Sequence, residues 1–427
     1  MRKTRFHNVL LLSVSFCLVL LLCEAGLRFG LQPSPYSYGR FLGKELPPYR
    51  LLPEGPLPLR GDRSEWYEGL IVDGKKITAG DLFGIYREDS LLGFAPRENT
   101  VSANGWWQSN NIGVRSREAT APEKPPGVSR LLVFGESFAQ GSRVRQEDSW
   151  PYILDDGVES LEVLNLAVDG YSMAQAYLRY RLLRREIDYD AVLLMLVPAS
   201  DLWRDVNIRR DVGGEWWGSY ISMPRFLLKD GALQLIRPFP PPEVYTHVRT
   251  SPGLADSLKA HLRAYDRFYH DRMYASPVLA KHSLLYKLLL LNWHVYEKKK
   301  YRNSLWDTNS EAQQIMRKLF AQMKAAVEQD GKVFILVTLP SYGELLQLAS
   351  DPGIAERHRK LAAAVTAGGV DCVNLLEALR RIPVAELDSG YDGSHYGPKG
   401  NRQIARLIRQ HLMRQGIVKI SQEIRDE

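Results

Sequence analysis

Residues 130–141 read Arg-Leu-Leu-Val-Phe-Gly-Glu-Ser-Phe-Ala-Gln-Gly, an apolar run that ends at Gly135 and continues directly into Glu136 and Ser137. The run is typical of a strand that is covered on both faces. A serine that follows such a strand through a tight turn is held out of the sheet, with its hydroxyl and its backbone N–H directed into the same space. The same pattern is also typical of a plain turn or a helix N-cap. Ser137 is therefore a candidate nucleophile that needs support from elsewhere in the chain.

Apolar strands and amphipathic helices alternate on both sides of this stretch. Continuously apolar strands that are separated by helices indicate a parallel sheet with helices on both faces. The expected fold class is α/β, with three layers. We predict strands at residues 130–134, 162–168, 191–197, 332–339 and 371–375, and helices at residues 150–156, 173–187, 310–329, 355–367 and 398–414.

Residues 205–305 interrupt this alternation directly after the third strand. Within them, residues 226–235 carry a hairpin pattern with Asp230 and Gly231 at the turn. Ligands bind open α/β sheets at the carboxyl ends of the strands, where this insertion begins. The insertion is therefore predicted to form a wall or lid of the site, with a simple packing appendage as the alternative.

The N-terminus carries a membrane signal. Residues 9–23 contain no charge and follow a basic N-terminus. No Ala-x-Ala-like cleavage site follows, and Leu22 before Cys23 does not suit lipoprotein processing. We expect an uncleaved single-pass anchor over residues 1–31 in the cytoplasmic (inner) membrane. The basic flank should stay cytoplasmic, which puts the rest of the chain on the periplasmic, extracytoplasmic side.

Composition excludes several other classes of function. The 427 residues carry a formal net charge of +7, with neither an aromatic-basic module nor a zinc spacing, so nucleic-acid binding is not expected. The three cysteines do not form a disulfide framework. The histidines show no metal-ligand spacing, and we expect no metal and no cofactor.

A second candidate motif lies near the other end of the chain. Asp392-Gly-Ser-His395 precedes the last predicted helix. At this spacing the carboxylate is able to orient the imidazole through one ring nitrogen, while the other nitrogen faces a hydroxyl. Alone the pattern is typical of a surface loop. Together with Ser137, in this order and in this class of fold, it indicates a Ser/His/Asp catalytic triad.

These motifs resemble those of the SGNH, or GDSL-type, hydrolase superfamily. Gly135 to Phe138 matches the Gly-Asp-Ser-hydrophobic motif after the first strand, and Asp392 with His395 matches the last motif. Gly170, after the second strand, matches the glycine whose N–H is an oxyanion donor. The resemblance implies the three-layer α/β/α, flavodoxin-like SGNH hydrolase fold, with an insertion after the third strand and an N-terminal transmembrane helix.

The resemblance also divides the chain into segments. The predicted domains are a membrane anchor at 1–31, an irregular lead-in at 32–128, the first part of the SGNH hydrolase core at 129–204, an insertion or lid at 205–305, the second part of the core at 306–415, and a C-terminal tail at 416–427.

Two positions depart from the family pattern. Ser200 stands where family members carry an asparagine that is the third oxyanion donor, and Glu136 stands where they carry aspartate. The predicted oxyanion donors are therefore the N–H groups of Ser137 and Gly170, with the Ser200 hydroxyl. Asn207 would replace Ser200 only if its loop folds back. Losing one such donor typically costs about 100- to 1000-fold in turnover.

The sequence thus predicts a serine ester hydrolase or O-acyl (acetyl) transferase acting on envelope or exopolysaccharide-linked esters. The expected partners are an acylated saccharide or lipid substrate, the membrane, and a possible envelope or polysaccharide biosynthesis complex. One alternative is a lipase-like or thioesterase-like hydrolase of the same superfamily. Another is a catalytically inactive fold that serves as a saccharide-binding or assembly subunit, since Ser200 and Glu136 both depart from the pattern.

Overall fold

The computed structural model describes residues 2–34, 37–51, 71–72, 75–76, 85–102, 105–209, 222–240, 251–275, 278–390 and 393–418. Its contacts divide the chain into two compact units. The first, called the anchor unit, comprises Met1–Leu57, Arg209–Tyr220 and Glu243–Tyr301. The second, called the sheet unit, comprises Pro58–Ile208, Ile221–Pro242 and Arg302–Glu427.

The regular elements are numbered in chain order. The helices are α1 (Arg2–Arg28), α2 (Ser137–Gln140), α3 (Trp150–Asp156), α4 (Met173–Leu183), α5 (Pro198–Arg204), α6 (Pro252–Tyr265), α7 (Val278–His282), α8 (Leu284–Ser304), α9 (Glu311–Gln329), α10 (Tyr342–Gln347), α11 (Gly353–Ala367), α12 (Leu376–Leu379) and α13 (Pro398–Arg414). The strands are β1 (Leu31–Gln32), β2 (Arg40–Phe41), β3 (Lys44–Glu45), β4 (Ile71–Val72), β5 (Lys75–Lys76), β6 (Tyr86–Asp89), β7 (Gly93–Pro96), β8 (Thr100–Val101), β9 (Gln108–Ser109), β10 (Ser129–Phe134), β11 (Leu161–Asn165), β12 (Ala191–Leu196), β13 (Arg225–Lys229), β14 (Ala232–Ile236), β15 (Val333–Thr338) and β16 (Cys372–Asn374).

The centre of the sheet unit is a five-stranded sheet in the order β11-β10-β12-β15-β16. All four strand pairs are parallel. Numbered by their order in the chain, the strands run 2-1-3-4-5, which is the flavodoxin-like order. The predicted α/β class and its parallel sheet are confirmed.

Helices cover both faces of this sheet. Leu131 and Val133 on one face belong to the same buried cluster as Trp150 of α3 and Ile404 of α13. Alternate residues of a strand point to opposite faces, and on the other face the ring of Phe134 lies 5.8 Å from that of Tyr180 in α4. Every residue of β12 is buried. Its continuously apolar sequence therefore follows from cover on two sides.

The second strand ends earlier than predicted. It ends at Asn165 instead of residue 168, because the chain leaves the ladder there and turns towards the end of β10. The N–H of Val168 donates to the Gly135 carbonyl at 3.1 Å, and the Asn165 side chain donates to the Gln140 carbonyl at 3.2 Å. This turn brings the loop that contains Gly170 next to the nucleophile turn.

The predicted hairpin is present as β13 and β14. Asp230 and Gly231 have φ values of 49° and 77°, which is the positive-φ pair that a two-residue hairpin turn requires. The hairpin belongs to the sheet unit, whereas Arg209–Tyr220 and Glu243–Tyr301 belong to the anchor unit. The predicted lid function of residues 205–305 stays a prediction.

The anchor unit begins with α1. Its segment His7–Arg28 is long and apolar enough to cross a membrane, and its most apolar stretch is not buried by the rest of the chain. A signal sequence has the same properties. The helix is therefore compatible with the predicted single-pass anchor.

Candidate active site

The turn after β10 holds Ser137 at the carboxyl end of a central strand. Gly135 has φ 149°, and a Cβ at this position would lie 2.7 Å from Ala139 Cβ and 2.9 Å from the Met195 carbonyl oxygen. Only glycine fits so close an approach. The chain then enters the short helix α2, whose first residue is Ser137 and whose N-cap is Glu136. The turn therefore projects the Ser137 side chain beyond the strand end.

His395 meets this serine from the opposite end of the sequence. Its Nε2 lies 2.8 Å from Ser137 Oγ, which is hydrogen-bond distance and within reach for proton transfer. The imidazole also stacks on Phe138, with ring centroids 4.1 Å apart and planes inclined by 24°. Its loop is held in place by the Tyr396 hydroxyl, which donates to the Pro340 carbonyl at 2.8 Å. The ring is thus positioned from two sides.

The third predicted triad member lies outside the described residues. Asp392 is one of two residues, 391 and 392, that the structure leaves undescribed in this loop. Nδ1 of His395 lies 3.0 Å from Ser394 Oγ. The orienting function of Asp392 therefore stays a prediction.

Glu136 contacts the nucleophile directly. The Ser137 hydroxyl lies 2.7 Å from Glu136 Oε2, and the Phe138 N–H donates to Oε1 at 3.0 Å. A serine hydroxyl carries one proton, so it donates either to Glu136 or to His395 Nε2. Attack through His395 requires the hydroxyl to turn from Glu136 towards the imidazole.

The carboxylate of Glu136 is itself held by a buried cation. Arg204 of α5 donates to Glu136 Oε2 at 2.8 Å, with 13% of the arginine side chain and 1% of the glutamate side chain exposed. Burial would raise the pKa of Glu136, but the charge of Arg204 and the hydrogen bond it donates hold that pKa below its usual value. Burial and the nearby Glu136 carboxylate raise the pKa of Asp201, which lies 3.7 Å from Arg204. The site therefore holds a charged Glu136–Arg204 pair beside the nucleophile.

Comparisons with known proteins give structural matches alone. No protein-family model matches the chain, and no curated protein matches it. A lipolytic protein of the G-D-S-L family from Veillonella parvula is similar, with 12% identity over 67% of this chain and 100% of the other, at a TM-score of 0.31. A lipase/acylhydrolase from Enterococcus faecalis is 13% identical, and the match covers 69% of this chain and 100% of the other at a TM-score of 0.33. A catalytic mutant of an acetylxylan esterase from Geobacillus stearothermophilus is 14% identical, and the match covers 69% of this chain and 97% of the other at a TM-score of 0.32.

The sheet has the flavodoxin-like strand order, with Ser137 directly after its first strand and His395 just before the last helix. The chain therefore has the flavodoxin-like α/β fold that the resemblance of its motifs predicts.

The predicted oxyanion donors lie in three places. Ser137 begins α2, and Gly170 follows the loop that contacts the nucleophile turn, with φ 76°. Ser200 lies in the first turn of α5, where its hydroxyl donates to the Val197 carbonyl at 3.1 Å. Ser200 would therefore have to break that bond to serve an oxyanion. The Asn207 amide donates to the Trp203 carbonyl of α5 at 2.6 Å.

Two arginines near the nucleophile turn were not predicted. Arg115 donates to the Gln140 and Gly141 carbonyls at 2.8 and 2.6 Å, and so braces the end of α2. Arg143 forms a buried 2.6 Å ion pair with Asp169, next to Gly170. The sequence assigns neither of them a role at the site. Only their burial in the structure identifies them as residues that hold this turn, since buried arginines are rare unless they are paired.

Proposed function

We propose that this chain is a serine ester hydrolase or O-acyl transferase. The observation that carries the proposal is the 2.8 Å distance between Ser137 Oγ and His395 Nε2 at the carboxyl end of β10. His395 takes the proton of Ser137, Ser137 attacks the ester carbonyl, and the N–H groups of Ser137 and Gly170 stabilise the oxyanion. His395 then returns the proton to the leaving alcohol. In the second half of the reaction, water or a sugar hydroxyl accepts the acyl group from Ser137.

The described residues form a small pocket at the nucleophile, lined by Ser137, Phe138, Arg143 and His395 among others. The pocket does not decide the length of the acyl group. Acetyl ester removal or transfer is the proposed reaction, and a lipase-like or thioesterase-like hydrolase is the alternative.

The proposed location is the outer face of the cytoplasmic membrane, with α1 as the anchor. The exposed apolar side chains of α1 support it, since they need a nonaqueous environment. Envelope or exopolysaccharide-linked esters are the substrates available there. We therefore propose them as the substrate class.

The inactive, saccharide-binding alternative has its own support. The Ser137 hydroxyl lies as close to Glu136 as to His395, at 2.7 and 2.8 Å. A hydroxyl whose proton stays with Glu136 is not activated by the imidazole. Labelling of the serine distinguishes the two proposals.

The test is covalent labelling of the full chain in detergent. A fluorophosphonate should label Ser137, and the protein should hydrolyse p-nitrophenyl acetate, because the activated hydroxyl attacks both reagents. Ser137→Ala should abolish both results. Ser160→Ala, which changes a serine in the turn before β11, should keep them. A folded wild-type sample that takes no label would support the binding-subunit alternative.

The Ser200 position gives a second prediction. Ser200→Asn should raise kcat by up to about 100-fold, because an amide reaches further than a hydroxyl that donates to its own helix. The measurement is steady-state hydrolysis of p-nitrophenyl acetate. Ala199→Asn, at the exposed neighbouring position, is the control for a general effect of an amide on α5. An unchanged rate for Ser200→Asn would remove this position from the oxyanion site.

A further inference from the structure

The anchor unit exposes large apolar side chains where α1 ends. Phe29 is 95% exposed, Leu42 81%, Val278 75% and Leu279 64%. We propose that these four residues, called the collar, lie in the headgroup layer of the membrane that α1 crosses, and that the collar binds anionic phospholipid. This inference rests on the proposed membrane anchor and goes beyond the proposed chemistry.

Direct contacts bring the collar segments to one place. Arg28, the last residue of α1, donates from Nη2 to the His282 carbonyl at the end of α7 at 2.9 Å. Val278 and Leu279 lie within about 6 Å along that same short helix. On the other side, Leu31 pairs with Phe41, the residue before Leu42. Each collar residue is thus within four residues of a contact with the chain that leaves α1.

The collar is joined to α1 by a half-buried cap. Glu24 accepts hydrogen bonds from the Leu284 and Leu285 N–H groups at 2.6 and 3.1 Å, and from the Ser283 hydroxyl at 3.0 Å. A carboxylate at these N–H groups caps α8 and interacts favourably with the helix dipole. Glu24 lies one turn before the end of α1. The helix is therefore joined rigidly to the folded unit, and a bilayer around α1 determines the depth of the collar.

Basic side chains near the collar favour binding to an anionic membrane surface. Lys44 and Lys281 are exposed and lie two residues from Leu42 and Leu279. Arg28 is 58% exposed on its side chain. Apolar side chains mixed with basic ones are typical of segments that lie in a membrane interface, and basic residues near an anionic surface strengthen the binding. Anionic phospholipid is thus the occupant that fits this surface.

Spin labels on the full chain in vesicles test this inference. The native cysteines are changed to alanine, and single labels are placed at Leu18→Cys in α1, Leu42→Cys and Leu279→Cys. In vesicles of phosphatidylcholine with phosphatidylglycerol, we expect the labels at 42 and 279 to lose accessibility to a water-soluble nickel reagent and to keep it for oxygen. Leu346→Cys, an exposed leucine of the sheet unit, is the matched control and should stay accessible to nickel.

The outcomes separate the anchor from the collar. A lipid signal at 18 with water-like signals at 42 and 279 would overturn the collar and retain the anchor. Water-like signals at all three sites would overturn both the membrane anchor and the collar. The proposed chemistry of Ser137 would be unaffected, because the labelling experiment tests it separately. Labels at 42 and 279 shielded from both reagents would indicate a protein partner and contradict the proposal. Lys44→Glu with Lys281→Glu should restore nickel access at 42 and 279, and no change would exclude anionic lipid as the ligand.

Discussion

His395→Ala is expected to lower kcat/KM for p-nitrophenyl acetate by about 10²- to 10⁴-fold, which is the usual contribution of a positioned general base. The imidazole Nε2 lies 2.8 Å from Ser137 Oγ. Without it, no imidazole takes the serine proton and returns it to the leaving alcohol. The measurement is steady-state hydrolysis, with fluorophosphonate labelling of Ser137 followed in parallel.

The control for His395→Ala is His411→Ala, which removes a histidine from α13 without touching the site. Its rate should stay close to that of the unchanged protein. Added imidazole should restore part of the rate of His395→Ala, because a free base is able to enter the vacated space. A His395→Ala protein that folds and turns over at the normal rate would contradict the proposed mechanism.

Arg204→Met is expected to lower the free energy of unfolding by about 3–5 kcal/mol, the usual cost of breaking a buried ion pair by removing one partner. The loss leaves the Glu136 carboxylate, whose side chain is 1% exposed, without its cation. The remaining donors to Glu136 are the Ser137 hydroxyl and the Phe138 N–H. Urea unfolding followed by circular dichroism measures the change.

A double variant shows whether the lost charge pair is the cause. Glu136→Gln combined with Arg204→Met should recover most of the stability, because the Glu136 charge is then no longer buried without its partner. Arg359→Met is the matched surface control. It breaks a pair with Glu356 in which the side chains are 57% and 45% exposed, and such pairs contribute about 0–1 kcal/mol. A double variant as unstable as Arg204→Met would show that the arginine acts through packing instead.

Much of the sheet unit was predictable from local pattern. The helices Trp150–Asp156 and Pro398–Arg414 have the predicted bounds, because a proline in the first turn starts each of them. The hairpin turn at Asp230 and Gly231 was predictable for an equally local reason, since few residue pairs adopt its backbone. The early end of β11 was not predictable, because hydrogen bonds to a distant turn cause it.

The sequence by itself determined the alternation of apolar strands and helices around the main sheet and the identity of Ser137 and His395 as candidates, since periodicity and short motifs depend on neighbouring residues. Only the tertiary structure decided that Glu136 contacts both the nucleophile and Arg204, and that Met1–Leu57 forms a unit with Arg209–Tyr220 and Glu243–Tyr301. These arrangements join residues far apart in the chain. They depend on which side chains the fold buries together, and no local pattern encodes that.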